Sequence, residues 1–434
     1  MWLTTRREFV SVLGAGALGG RAGGGGGSAQ TATLDALRRE FPALGQRIDG
    51  RPLVYLDSAA TTLKPQAVID ALVDFYSTDN ANPSPVHTLA ARAAGRLNAA
   101  REAAARFVNA SSPSEIVFVR GTTEGLNLLA ATWAATGLSA ADEIVMSVAE
   151  HSSNLMPWAR AAGRAGARVR MADVDDEGRL TVDAVKAVLS ARTRLVAFSH
   201  VSNVVGFINP VREIVREAKA AGALVAIDGA QGAPHVSVDV QEIGCDAYVW
   251  SGHKMLGPMG TGVVWARREL LDRLPPYHVG SNMAHAVTLD HAELEVGGQK
   301  YQAGTPDVAG PVGLHAAIRV FDRIGYEAVR SHDEALVRRG LERLRDVPRL
   351  RLLGPARSAD RVPVFTFVVD GLPAASIAQQ LNRRGIAVRA GDMAALPLLK
   401  RFGVTEAARA SAYLYSTPDD LDRLADALTE ISRA

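Results

Sequence analysis

Cysteine is almost absent: Cys245 is the only one in 434 residues. That excludes an internal disulfide, and any cysteine-based metal cluster or thiol pair within one chain. Excess charge of either sign is also missing, with 48 Lys plus Arg against 46 Asp plus Glu. No field therefore exists to gather nucleic acid or an anionic membrane, and the expected partner is a small molecule. No repeat period appears, which excludes a solenoid or propeller. No membrane span is expected, and no metal site is read. What the chain does have is bulk. At 47% hydrophobic it can bury a large core, and its length suits a two-domain enzyme better than one compact unit.

The N-terminus carries an address. Thr5-Arg6-Arg7-Glu8-Phe9-Val10 precedes a mildly apolar run from Val10 to Leu18, then a glycine tract and Gly27-Ser28-Ala29. This resembles a twin-arginine-type signal with a small-residue cleavage site over residues 1–29, which implies export. The alternative is a tail on a cytoplasmic protein. The apolar stretch is well short of the ~20 residues that cross a bilayer. Gly14-Ala15-Gly16-Ala17-Leu18-Gly19 matches the spaced glycines of a dinucleotide site, but no strand precedes it, no helix follows, and five glycines come next. A nicotinamide or flavin enzyme is a poor reading.

After an N-terminal segment, 30–52, apolar runs alternate with Ala-rich helical stretches such as Arg212 to Ala221. That alternation predicts an α/β fold, a parallel sheet with helices on both faces. Candidate buried strands are Glu115 to Val119, Glu143 to Ser147, Arg168 to Met171, Leu195 to Ser199, Leu224 to Ile227 and Ala247 to Trp250. From about Val312 the texture changes to longer charged helices, including Glu334 to Arg345, then a strand Val364 to Val369 and a terminal helix Pro418 to Ile431. The expected organisation is a large domain over 53–311 and a smaller α+β domain over 312–434.

In open α/β sheets, ligands bind beyond the carboxyl ends of the strands. Here those ends are rich in functional groups. One leads to Arg120-Gly121-Thr122-Thr123, where a tight turn and a helix N-terminus favour a phosphate, although a plain helix cap explains it as well. Others lead to Glu150-His151 and to His200-Val201-Ser202-Asn203. Leu224 to Ile227 ends at Asp228-Gly229-Ala230-Gln231, and Ala247 to Trp250 ends at Ser251-Gly252-His253-Lys254. A lysine directly after an apolar run, with an aspartate one βαβ step upstream, suits pyridoxal 5′-phosphate (PLP). The lysine would form a Schiff base with the cofactor aldehyde, and the carboxylate would keep the pyridine nitrogen protonated. With its pKa lowered by burial and nearby positive charge, the Lys254 amine could then move protons.

Assembled in order, these segments resemble the class V aminotransferase family of PLP enzymes, and within it the cysteine desulfurase and selenocysteine lyase branch. Tyr55-Leu56-Asp57-Ser58-Ala59-Ala60-Thr61-Thr62 and Ala303-Gly304-Thr305-Pro306 complete the match, which begins near Leu34. The resemblance implies PLP fold type I, with a mostly parallel seven-stranded sheet in the large domain. It makes Lys254, Asp228 and His151 catalytic, with Asp228 at the pyridine nitrogen, His151 stacked on the ring and Gln231 facing its phenolic oxygen. Thr123, Ser251 and His253 would hold the phosphate with Thr122 beside them. Asn203 would lie near the substrate, Arg409 would fork onto an amino-acid carboxylate, and Arg389 would stand close by. Thr305 would reach in from a second subunit, making a homodimer the active unit.

One departure stands out. Desulfurases carry a persulfide-forming cysteine in the loop that here reads Arg389-Ala390-Gly391-Asp392-Met393-Ala394-Ala395-Leu396-Pro397, with Ala394 at the expected position. Cys245, at the start of a strand away from the site, is a poor substitute. Gln302 also stands where the family has Glu. The leading expectation is a PLP-dependent carbon–sulfur lyase acting by β-elimination on cysteine or a related amino acid. An aminotransferase or epimerase is the second reading and a PLP-binding pseudoenzyme the third.

Overall fold

A computed structural model describes residues 36–433; the twin-arginine segment, 1–29, lies outside them. Seven strands form the central sheet: β1 (Ile116–Val119), β2 (Glu143–Ser147), β3 (Arg168–Ala172), β4 (Thr193–Ser199), β5 (Leu224–Asp228), β6 (Ala247–Ser251) and β7 (Gly262–Ala266). Their spatial order is β1-β7-β6-β5-β4-β2-β3. All neighbours pair in parallel except at β7, which runs antiparallel to both β1 and β6. The fold is thus α/β with a seven-stranded, mostly parallel sheet.

Period-two alternation sorts each strand's side chains onto two faces. On β6, Tyr248 and Trp250 join one core together with Val225, Ile227, Val263 and Trp265. Ala247 and Val249 join the other, with Ala226, Leu195 and Val264. Helices α1 (Thr122–Ala134) and α2 (Ser152–Ala165) supply Leu126, Leu129, Trp133 and Trp158 to that second core. β7 was not among the expected strands. It is buried at every position, like β2 and β6, and the short connection from β6 sends it back antiparallel.

A third core lies under a four-stranded antiparallel sheet, β8 (Leu350–Leu353), β9 (Val364–Val369), β10 (Arg389–Gly391) and β11 (Ala407–Ser411), in the order β8-β9-β11-β10. Helix α3 (Tyr326–Arg345), beginning eight residues before the expected start because Gly325 (φ +77°) is the break, and α4 (Pro418–Arg433) cover it. Val54 and Leu56 belong to this core, and Val54–Tyr55 pairs in parallel with Ile386–Ala387. The segment following Leu56 therefore passes from the smaller sheet to the larger one. No helix among the described residues is long and apolar enough to cross a membrane.

Gly262 is where β7 presses on the turn after β1. A Cβ there would sit 2.6 Å from the Gly121 Cα and 2.7 Å from the Trp250 carbonyl oxygen. Gly262→Ala must displace backbone, and we expect it to cost roughly 1–3 kcal/mol. Gly163, inside α2, has nothing within 4 Å of the same atom. Gly163→Ala should be neutral or stabilising by up to about 1 kcal/mol. Urea unfolding midpoints of the two apoproteins check the contrast.

Candidate active site

Five strand ends open onto one cavity of about 480 Å³. Thr122 and Thr123 come from the turn after β1, His151 from the end of β2, Asn203 from beyond β4, Asp228 and Gln231 from β5, and Ser251, His253 and Lys254 from β6. The smaller sheet closes the far side with Arg389 and Arg409. Every residue expected at the site lines this cavity except Thr305. That residue lies in a neighbouring open cavity of about 530 Å³ with Arg120, Tyr277, Gln302 and Asp307. His200, although it follows β4 directly, turns away and its Nδ1 meets the Tyr248 hydroxyl at 2.9 Å.

Burial sets the protonation states. It pushes the Lys254 amine down to about 8; the Arg409 charge helps, and the Asp228 carboxylate opposes. Burial raises Asp228 above the ordinary carboxylate value, while the Ala230 N–H, 2.9 Å from its Oδ1, and Lys254 pull it back. His151 is brought to about 4 by burial and by the Lys254 and Arg409 charges, so its ring is neutral at pH 7. Its Nδ1 accepts the Ser153 N–H at 3.1 Å and caps α2. His253 is likewise held neutral, at about 4. The Gln231 amide donates to the Ala59 carbonyl at 2.7 Å.

At the start of α1 the N-cap residue, Gly121, has no side chain to cap the helix. Gly121 has φ +154° and ψ 178°, a conformation open to glycine. The Ser251 hydroxyl accepts the Thr122 N–H at 2.8 Å and pairs with the Thr122 hydroxyl at 2.8 Å; the Thr123 hydroxyl pairs with Ser153. Hydroxyls and helix-terminal N–H groups together make an anion cradle.

Arg409, 3% exposed, gives Nη1 to the Asn203 carbonyl at 2.9 Å, and its buried Nε has no partner among the described residues. Asn203 in turn donates to the Met393 carbonyl at 2.9 Å. Arg389 is paired with Asp57, Nη2 to Oδ2 at 2.6 Å, and Asp57 also faces Arg409 at 3.7 Å. Sequence reading gave no role to Asp57, Ser153 or Ser199, the last two lining the cavity; strand ends name positions beyond the sheet, whereas Asp57 acts from the linking segment.

PLP fits this donor set on three counts. Lys254 offers a buried amine of lowered basicity, Asp228 a buried carboxylate, and the α1 turn a hydroxyl-rich anion cradle. The orphaned Arg409 Nε leaves a fourth place for a substrate carboxylate. No group of three or more His, Cys, Asp or Glu side chains among the described residues is placed to hold a metal ion.

Known proteins agree with the chemistry. Residues 54–424 match the family model described as aminotransferase class-V. A cysteine desulfurase of Synechococcus elongatus is 43% identical over 399 residues, 92% of this chain and 63% of that protein's length. A probable cysteine desulfurase of Halalkalibacterium halodurans is 42% identical over 393 residues, covering 90% and 96%. The crystal structure of the cysteine desulfurase CsdA of Escherichia coli, in an S-sulfonic acid form, matches with a TM-score of 0.84 at 37% identity, over 92% of this chain and 98% of that one. The chain belongs to the class-V aminotransferase family and is a PLP-dependent, cysteine desulfurase-like enzyme.

Proposed function

We propose that this enzyme is a carbon–sulfur lyase that eliminates the sulfur substituent from the β-carbon of cysteine or a related amino acid, without a protein persulfide. What supports this reading is that Asp392, Met393 and Ala394 line the cavity, in the loop where the family resemblance expects a persulfide-forming cysteine. Cys245, the chain's single cysteine, precedes β6 while Lys254 follows it, so the two are a five-residue strand apart, about 17 Å. Burial also pushes the Cys245 thiol well above its ordinary value, away from the nucleophilic thiolate.

Each residue's part follows from its surroundings. Bound in the cavity, PLP supplies an electron sink that acidifies the substrate α-carbon. Arg409 receives the substrate carboxylate through its free Nε. The Lys254 amine takes the α-proton, its basicity already lowered towards the working pH. The β-substituent departs as sulfide or thiol, and hydrolysis of the remaining carbon skeleton yields a keto acid and ammonia. His151, neutral and held through its Nδ1, offers a flat ring without adding charge.

Thr305 belongs to the same proposal through a second copy of the chain. It stands outside its own cavity, and its neighbour Gly304 meets the Ser281 carbonyl at 2.8 Å, just ahead of a two-stranded hairpin, Ala284–Val287 and Ala292–Leu294, whose Val287 is 70% exposed. A homodimer would cover this apolar surface and give Thr305 to the partner's site.

Three measurements test these roles. Purified holoenzyme should release keto acid and ammonia together with sulfide from cysteine, cysteine persulfide from cystine, or a thiol from S-conjugates. Cys245→Ser should leave that turnover within about twofold, whereas Lys254→Ala should abolish it. Exchange of the α-hydrogen without elimination would instead support an aminotransferase or epimerase. Loss of turnover in Cys245→Ser would return the cysteine to the mechanism. Arg409→Lys keeps the charge but not the planar fork, and should raise KM for the amino acid about 10-fold or more, with a smaller change in kcat. Lys254 attacks an aldehyde only as the neutral amine, so covalent capture of PLP by the apoprotein should speed up as pH rises and level off above about 8. An unshifted lysine would still be accelerating near its ordinary value of about 10.4.

A further inference from the structure

Immediately before Lys254, one carbonyl carries an unusual load. The His253 carbonyl oxygen accepts the Thr62 N–H at 3.0 Å, the Thr62 hydroxyl at 3.0 Å, the Thr61 hydroxyl at 3.1 Å and the Lys64 ammonium at 2.9 Å. A carbonyl has two lone pairs, so it is oversubscribed. Lys64 also donates to the Thr62 carbonyl at 2.6 Å, and the Thr62 hydroxyl accepts the Leu256 N–H at 3.0 Å. Leu256 has φ +68°, a left-handed conformation that a leucine holds only under constraint. The segment 61–64 is therefore a brace on both sides of Lys254.

Lys64 is an unexpected member of such a brace. Its hydrogen-bond acceptors are all neutral oxygens, and among the described residues no carboxylate lies within ion-pair reach. The nearby titratable groups do not supply one. His253 and Lys254 on the turn are neutral or cationic. Asp57, on the same segment, is taken by Arg389 and Arg409, and Glu40, whose carbonyl meets the Gln66 N–H, pairs with Arg323 at 2.7 Å. Tyr415, across from Leu63, accepts that residue's N–H. A merely structural clamp could use a neutral donor here. Burial brings the Lys64 amine down to about 7, and its charge is one of the influences that keep the His253 ring neutral.

We propose that Lys64 is a positioning residue for Lys254. By holding the His253 carbonyl it fixes the peptide plane from which the Lys254 side chain departs. The role concerns how the PLP enzyme presents its lysine and does not depend on which bond the substrate loses.

The test is a spectroscopic titration of substrate-free holoenzyme, following the pH midpoint of the absorbance of lysine-bound PLP, together with the melting temperature of the apoprotein. Releasing the His253 carbonyl frees the peptide that carries Lys254, so Lys64→Met should move that midpoint by about 0.5 unit or more. It should lower kcat about 10-fold with KM changed less, and leave the apoprotein melting temperature within about 3 °C. Lys64→Arg, which keeps charge and donors, should restore the midpoint. A midpoint unmoved in Lys64→Met overturns the proposal. So does a fall in apoprotein stability that Lys64→Arg cannot rescue, since that marks a structural brace only. Should Lys64→Met fail to fold, Lys64→Ala removes the same donor, and an unchanged midpoint there overturns it equally.

Discussion

Two arginines face one small cavity that already contains a lysine, and Asp57 makes that arrangement tolerable. Its carboxylate, 13% exposed, pairs with Arg389 at 2.6 Å and faces Arg409 at 3.7 Å. Removing one partner of an ion pair leaves the other charge uncompensated, at a cost that falls as solvent screens it. Here the loss would strand two guanidiniums beside Lys254. Asp57 thus neutralises without filling the place meant for a substrate carboxylate: Arg409 keeps its Nε unpartnered. Arg409 is drawn down only to about 10 by its burial, so it remains a cation at working pH. The pocket holds its charge ready rather than spent.

The same residue locates the mechanical centre of the molecule. Asp57 stands on the segment that leaves the smaller sheet at Leu56 and reaches the larger one at Thr62. Ser58 N–H meets the Ser411 carbonyl, Ala59 N–H the Ser411 hydroxyl, and the Ala59 carbonyl receives Gln231. Tyr415 ties Ser58 and Leu63 together through its hydroxyl. Nearly every backbone group along this stretch is committed to one unit or the other, so the arginines of one and the lysine of the other are held in fixed register. Pre-organisation of this sort is what proton transfer at a single carbon requires.

Much of the architecture was legible in the chain. Buried parallel strands read as unbroken apolar runs, and β2, β5 and β6 begin where those runs begin. The groups beyond their ends, Asp228 and Lys254 above all, share the cavity because a parallel sheet sends its carboxyl ends the same way. What could not be read was whatever depends on the return of distant chain. β7 is antiparallel, and nothing in Gly262 to Ala266 announces its direction. Asp57 meets Arg389 across 332 residues, and Lys64 meets His253 across 189. Neither pairing leaves a periodic trace. His200 and His151 look alike as strand-end histidines, and only the packing of Tyr248 against His200 separates them.

The loop opposite Lys254 bears on what the enzyme can do with its substrate. Met393 and Ala394 both lie in the left-handed region, φ +53° and +51°, a conformation costing non-glycine residues about 1 kcal/mol or more apiece. Three bonds hold them there. Asn203 takes the Met393 carbonyl, the Ser152 N–H takes the Ala394 carbonyl at 2.7 Å, and Asp392 Oδ1 accepts the Ala394 N–H at 3.0 Å. This loop is fastened at successive peptide groups to the β2–α2 corner and to the Asn203 that supports Arg409. Its backbone is therefore built as a wall. On the proposed lyase reading, the leaving sulfur passes this wall and no protein atom follows it.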